Sequence, residues 1–245
     1  MSEFRTYAII LAAGRGERMQ ADRNKMLLEI AGRTLLELCL ERFSKNSAIE
    51  HIFTVMAPED MSSRGETDQA RVLPESCRGL EGIVAGGKTR QDSVFNGLKA
   101  VEKHAAGFKG RVLVLIHDGA RCFIPSAVIG RVLARLKSER CAVVAALPVT
   151  DTIRQAEYDS LKELEIPREE LLKMQTPQAA DLDILLHAFE LAREEGIQAT
   201  DDIALLLRMG YPVRAVSGDS RNLKLTTPAD IELAQLLYKA GYFYD

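Results

Sequence analysis

The sequence predicts an α/β fold with a mostly parallel, twisted sheet and helices on both of its faces. Two observations carry this expectation. Apolar runs of strand length alternate with stretches of helical period along the chain. The residues just after those runs are glycines and charged side chains, as expected where the strands of an open sheet end at a ligand crevice. At 245 residues, 47% of them hydrophobic, the chain can bury a large core. No repeat or linker divides it, so a single domain over 1–245 is expected.

The first strand, residues 7–12, is part of the apolar run Tyr7-Ala8-Ile9-Ile10-Leu11-Ala12-Ala13. It empties into Gly14-Arg15-Gly16-Glu17-Arg18-Met19 and reaches Lys25. Such a turn lets backbone N–H groups approach phosphate oxygens while Arg and Lys neutralise charge. No Gly-Lys-Ser/Thr follows, and Met19 stands where the third glycine of a dinucleotide fingerprint belongs, so a nucleotide site of another kind is implied.

Residues 34–44 place Leu35, Leu36, Cys39, Leu40 and Phe43 at helical spacing behind the N-cap Thr34. A strand is expected at 51–56. Residues 82–94 read as a second glycine-rich turn entering a helix over 91–103; Gly86, Arg90 and Ser93 there either contact a nucleotide or form a tight turn and cap. The strand at 111–117 delivers Asp118, suited to hold Mg²⁺ against a phosphate or to serve as a turn residue. A helix at 126–137 and a strand at 141–147 follow. Residues 150–174 are too long and polar for a simple connection and read as an excursion, a hairpin arm or a disordered loop. Helices are expected at 181–194 and 201–208, with Asp181 and Thr200 at the N-cap positions. A strand at 212–216 precedes Lys224, read as lying in a short strand between Leu223 and Leu225 and facing away from them. A last helix spans 229–239, with Pro228 in its first turn behind Thr227.

The formal net charge of −3 argues against nucleic acid as a partner. No apolar run approaches the length of about 20 residues that spans a bilayer, and no signal-peptide pattern opens the chain, so a soluble, cytoplasmic protein without a membrane partner is expected. Cys39, Cys77, Cys122 and Cys141 form no Cys-x-x-Cys pair and read as reduced thiols. The histidines at 51, 104, 117 and 187 show no metal-ligand spacing, and His117 reads as structural.

Together these segments resemble the 2-C-methyl-D-erythritol 4-phosphate cytidylyltransferases of the non-mevalonate isoprenoid pathway. The matching pieces are Ile10 to Met19, Lys25, Gly86-Gly-Lys-Thr-Arg-Gln-Asp-Ser-Val94, His117-Asp-Gly-Ala-Arg121, Pro148-Val-Thr-Asp-Thr152, Gln175-Thr-Pro-Gln178, Thr200-Asp-Asp202 and Asn222 to Asp230. The resemblance implies a Rossmann-like nucleotidyltransferase fold with a protruding arm, CTP and a polyol phosphate as substrates, and Mg²⁺ or another divalent cation held by Asp118. It further implies that Arg18, Lys25 and Lys224 are catalytic and that Ala12, Ala13, Gly14, Gly16, Gly86, Arg90 and Ser93 bind the nucleotide. Arg121, Thr152, Arg168 and Thr200 would bind the acceptor, with Thr152 and Arg168 reaching a neighbouring subunit of a homodimer through the 150–174 arm. Another acceptor such as ribitol 5-phosphate, or a non-catalytic nucleotide-binding module, would share the first motif. The chain departs from the family pattern at Asn24 and Cys122, where proline is usual.

Overall fold

A computed structural model describes residues 3–14, 24–62, 77–158 and 160–243. In chain order its elements are β1 (Phe4–Ala12), β2 (Glu29–Ile30), β3 (Arg33–Thr34), α1 (Leu35–Lys45), β4 (His51–Met56), α2 (Pro58–Ser62), β5 (Leu80–Ala85) and α3 (Arg90–His104). They continue as β6 (Arg111–Asp118), α4 (Ser126–Ser138), β7 (Ala142–Pro148), β8 (Arg154–Glu157), β9 (Ser160–Glu165), β10 (Leu172–Asp181), α5 (Leu182–Glu194), α6 (Asp202–Arg208), β11 (Val213–Ser217) and α7 (Pro228–Lys239). Seven strands form one sheet in the order β11-β7-β10-β6-β1-β4-β5. All its pairings are parallel except those of β10, which is antiparallel to both β6 and β7.

β1 lies inside the sheet because Tyr7, Ala8, Ile9 and Ile10 leave no face for water, and all four are fully buried. Alternate residues feed two apolar layers. On one face Ala8, Ile10 and Ala12 pack with α1, α4 and Ala234 of α7. On the other, Tyr7 and Ile9 pack with α3, α5 and α6. Helices on both faces are therefore found as expected, and among the described residues no helix is long and apolar enough to cross a membrane.

Local chemistry fixes the ends of the helices. Thr34 caps α1 through a box with Glu37, Thr89 caps α3 through a box with Asp92, and Thr227 caps α7 through a box with Asp230. Thr200 does not cap α6; its neighbour Asp201 does, accepting from the Ala204 N–H at 2.9 Å. Asp181 stands at the N-cap position of α5 but makes no side-chain cap bond, because Arg111 holds its carboxylate at 2.8 and 3.0 Å.

Three sequence expectations are corrected. Residues 82–85, the first part of the stretch read as a glycine-rich turn, belong to the edge strand β5, and only 86–89 form the turn into α3. Residues 172–174, the end of the expected arm, belong instead to β10, a strand inside the sheet. Lys224 lies in irregular chain, not a strand, although Leu225 beside it is fully buried as expected. The excursion at 150–174 contains the antiparallel hairpin of β8 and β9, with Arg154–Glu157 exposed throughout.

Candidate active site

Beyond the carboxyl ends of β1, β4 and β6 lies a cavity of about 850 Å³, within the range of small-molecule sites. Of the residues singled out from the sequence, Ala13, Gly14, Lys25, Gly86, Arg90, Ser93, Asp118 and Lys224 line it. Gly16 and Arg18 lie outside the described residues. Ala12, Arg121, Thr152, Arg168 and Thr200 are not part of the lining. Lys88 and Thr226 also line it and were missed, although both stand inside motifs that the sequence had marked.

Asp118 is the electrostatic centre. Its Oδ2 lies 2.7 Å from Lys224 Nζ and its Oδ1 3.4 Å from Arg90 Nε. Burial pushes the carboxyl up, but Arg90 and Lys224 outweigh burial and hold it well below the usual carboxylate range. It is thus an anion across the working pH range. Its main chain is set by a relay: the Asp118 N–H donates to Thr176 Oγ1 at 3.1 Å, and that hydroxyl faces His117 Nδ1 at 3.0 Å. His117 Nε2 then donates to the Arg121 carbonyl at 3.2 Å, which assigns the neutral Nε2–H tautomer.

Burial lowers the pKa of His117 to about 4, so the structural role read from the sequence holds. The sign follows from linkage. As pH falls below about 6.5 the unfolded chain takes up this proton first, so stability that is present above 6.5 is lost progressively toward pH 4. Between pH 7 and 5 urea denaturation should show a loss of about 2 kcal/mol from this group. His117→Gln should flatten that slope, whatever it does to stability at pH 7.

Gln175, Thr176 and Gln178 of β10 are buried polar side chains, each with partners. Gln175 Nε2 donates to the Asp219 carbonyl at 2.9 Å, and its Oε1 accepts from the Asp219 N–H and from Asn222 Nδ2. Arg121 Nη1 donates to the Asn222 carbonyl at 2.8 Å. These bonds tie down the loop that presents Lys224, so Arg121 acts here as a clamp. Gln178 Oε1 accepts from the N–H groups of Asp202 and Ile203, seating the start of α6. Asp202 in turn takes both Nη atoms of Arg90 at 2.8 and 2.9 Å, a bidentate pair. Asp202 was marked only as part of a family motif; it is what aims Arg90.

Two glycine-rich segments form the other wall. A Cβ on Gly86 would stand 2.8 Å from the Ala13 Cβ and 3.2 Å from the Met56 carbonyl, so only glycine lets this turn lie against the end of β1. Ser93 Oγ accepts from the Gly87 N–H and donates to the Thr89 carbonyl, which shapes the turn rather than pointing a free hydroxyl outward. Among the described residues, a Cβ on Gly14 would meet nothing within 4 Å.

Lys25 opens a single 3₁₀ turn, Lys25–Leu27, and its Nζ comes 3.5 Å from the Leu225 carbonyl. Asn24 has φ −54°, within the range a proline ring enforces. Its Oδ1 accepts from the Met26 N–H at 3.0 Å, and its Nδ2 donates to the Ala12 carbonyl at 2.9 Å and to Asp60 at 2.5 Å. Hydrogen bonds thus hold the backbone where the family pattern has a ring. Cys122, the other departure, is buried in the core, and burial raises its thiol pKa, so it stays protonated. All four cysteines are free thiols, as expected.

The profile of the 2-C-methyl-D-erythritol 4-phosphate cytidylyltransferase family matches residues 6–240. The enzyme of that name from Gloeobacter violaceus is 40% identical over 235 residues, covering 95% of this chain and 96% of that protein. The one from Halalkalibacterium halodurans is 37% identical over 232 residues, covering 94% and 96%. Among solved structures, the 2-C-methyl-D-erythritol 4-phosphate cytidylyltransferase of Thermus thermophilus superposes with a TM-score of 0.73 at 32% identity, covering 94% of this chain and 98% of that one. The 4-diphosphocytidyl-2C-methyl-D-erythritol synthase of Anaerococcus prevotii superposes with a TM-score of 0.79 at 28% identity, covering 96% of each.

Proposed function

Because this chain belongs to the 2-C-methyl-D-erythritol 4-phosphate cytidylyltransferase family, and transfers CMP from CTP to that acceptor in the non-mevalonate pathway, we propose that its catalysis rests on placed cations rather than on a general base. The observation that carries this reading is the convergence of Lys25, Lys224 and Asp118 on one cavity whose described lining holds no histidine or cysteine.

An oxygen of the acceptor's phosphate monoester attacks the α-phosphorus of CTP; the new O–P bond forms as the bond to the β-phosphate oxygen breaks, and pyrophosphate leaves. The nucleophile needs no base, because the second pKa of a phosphate monoester is about 6 and the group is largely dianionic at neutral pH. The obstacle is repulsion between polyanions, which fixed cations offset as charge develops. Lys25 and Lys224 supply two such cations to the cavity, and the family resemblance assigns a third to Arg18. Gly14, Gly86 and the turn shaped by Ser93 leave room for the nucleotide, while Arg90, locked by Asp202, keeps Asp118 ionised.

Asp118 suits a Mg²⁺ ion. It is an ionised carboxylate facing the cavity, and Mg²⁺ is commonly held by one or two carboxylates together with substrate phosphates. When bound, the ion would neutralise charge on the triphosphate.

The acceptor's phosphate is assigned to Arg168 and Thr152, offered by the arm to the site of a second subunit. Support comes from exposure. Ile153, Leu172 and Met174 at the arm's base and Tyr158 at its tip are exposed apolar or aromatic side chains, and Tyr158 has no cover at all. A lone two-stranded hairpin is marginal in water, so a covering partner is expected. Arg168 now donates to the Thr150 carbonyl at 3.1 Å and lies 3.4 Å from Glu169, both exchangeable for a phosphate. Arg168→Lys, which loses the planar fork, should raise the acceptor KM by about tenfold and leave the CTP KM nearly unchanged. Equal effects on both, or full activity in a solution where light scattering finds only monomers, would remove the shared site.

A further inference from the structure

We propose that His51, Glu81 and His104 form a second cation site, for Zn²⁺ or a similar transition metal, at the end of the sheet away from the cavity. One ligand atom from each lies within 4.8 Å of the others. His51 is the first residue of β4, Glu81 the second of β5, and His104 the last of α3, whose first residue is Arg90 at the cavity. Their wide sequence separation explains why no ligand spacing was visible in the chain.

The geometry is that of a site with its ion replaced by a carboxylate bridge. Glu81 Oε1 lies 2.6 Å from His51 Nδ1, and Oε2 lies 3.3 Å from His104 Nε2. A tetrahedral ion with bonds of about 2.0–2.2 Å holds its ligand atoms roughly 3.4 Å apart, so side-chain rotations that widen the short Glu81–His51 contact and draw in any longer separation close the set. Two imidazoles and a carboxylate leave one position for water, and nitrogen ligands favour zinc over magnesium.

Three supports hold the ligands. The Tyr7 hydroxyl lies 3.0 Å from His104 Nδ1, fixing that ring with Nε2 turned toward Glu81, as outer-shell partners of metal-bound histidines do. The Tyr7 ring stacks on His51 with centroids 4.7 Å apart, so both imidazoles rest on one buried side chain. The β4–β5 register jumps from Ile52↔Leu80 to Phe53↔Gly82, and the extra residue is Glu81. A bulge of this kind re-aims a side chain, here toward the two histidines. A bound ion would staple β4, the edge strand β5 and the end of α3.

The test is titration of metal-free protein with Zn²⁺, followed by calorimetry and thermal unfolding. One equivalent should bind and raise the melting temperature. His104→Ala and His51→Ala should each raise Kd by at least about 100-fold, beyond the roughly tenfold expected for Tyr7→Phe, an outer-shell loss. Turnover without zinc should be unchanged in His104→Ala. Should either alanine variant fold poorly, Glu81→Gln, an exposed change, should weaken binding in the same sense. Zinc binding that ignores these substitutions, or wild-type protein that binds no zinc, overturns the site. Mg²⁺ titrated instead should give no binding that responds to His104→Ala; a response would overturn the nitrogen-ligand assignment.

Discussion

Lys25→Ala should lower kcat by about 100-fold or more, the scale seen when one preorganised electrostatic donor is removed. Lys25 is set by a one-turn helix whose cap, Asn24, is itself held by three hydrogen bonds, so the backbone that presents its ammonium to the cavity is fixed. A cation that serves the transition state more than the ground state shows itself in kcat, so the CTP KM should move far less. Steady-state kinetics with an unchanged circular dichroism spectrum makes the measurement. Near wild-type turnover would take Lys25 out of the mechanism, and a loss confined to KM would make it a binding group only.

Asp202→Ala should cost about 3 kcal/mol of stability, at the low end for breaking a buried ion pair, because the Arg90 side chain retains some access to water. For a chain of this size that is a fall of roughly 6–12 °C in melting temperature. The cost comes mostly from stranding Arg90, whose protonation burial disfavours and the Asp202 carboxylate restores. The double variant Asp202→Leu with Arg90→Leu should therefore be more stable than Asp202→Ala alone. A double variant no better than the single would show that packing, not charge, carries the effect. The single variant also frees Arg90 to close on Asp118, 3.4 Å away, so its turnover should fall even where it is folded.

What the sequence disclosed follows from what periodicity can see. β1, β4, β6 and β7 were legible because their apolar residues answer to burial; β11 was legible from its short apolar run, although its residues are only partly covered. β10 was not, because Gln175, Thr176 and Gln178 are polar yet buried, satisfied by partners more than 20 residues away in the chain. β5 was hidden by Glu81 and Gly82 in an edge strand with its own bulge. At the site, the residues that end strands or enter helices were found. The ones that aim them were not: Asp202, Thr176 and Gln175 act through contacts formed only in three dimensions. Lys224 was identified, but its flanking leucines suggested a strand where a hydrogen-bonded loop stands.

The reversed course of β10 also decides where the molecule can be gripped. β7 runs out at Pro148 and β10 starts at Leu172 directly opposite it, so the hairpin between them springs from the rim onto which the nucleotide cavity opens. Had β10 run parallel, a crossover would have been needed and the hairpin could have emerged at the far rim. Under the proposed shared site, two copies clasping by these hairpins would do so beside their mouths. Assembly and access would then share one doorway, and a wedge driven into the clasp would reach the chemistry without touching the nucleotide.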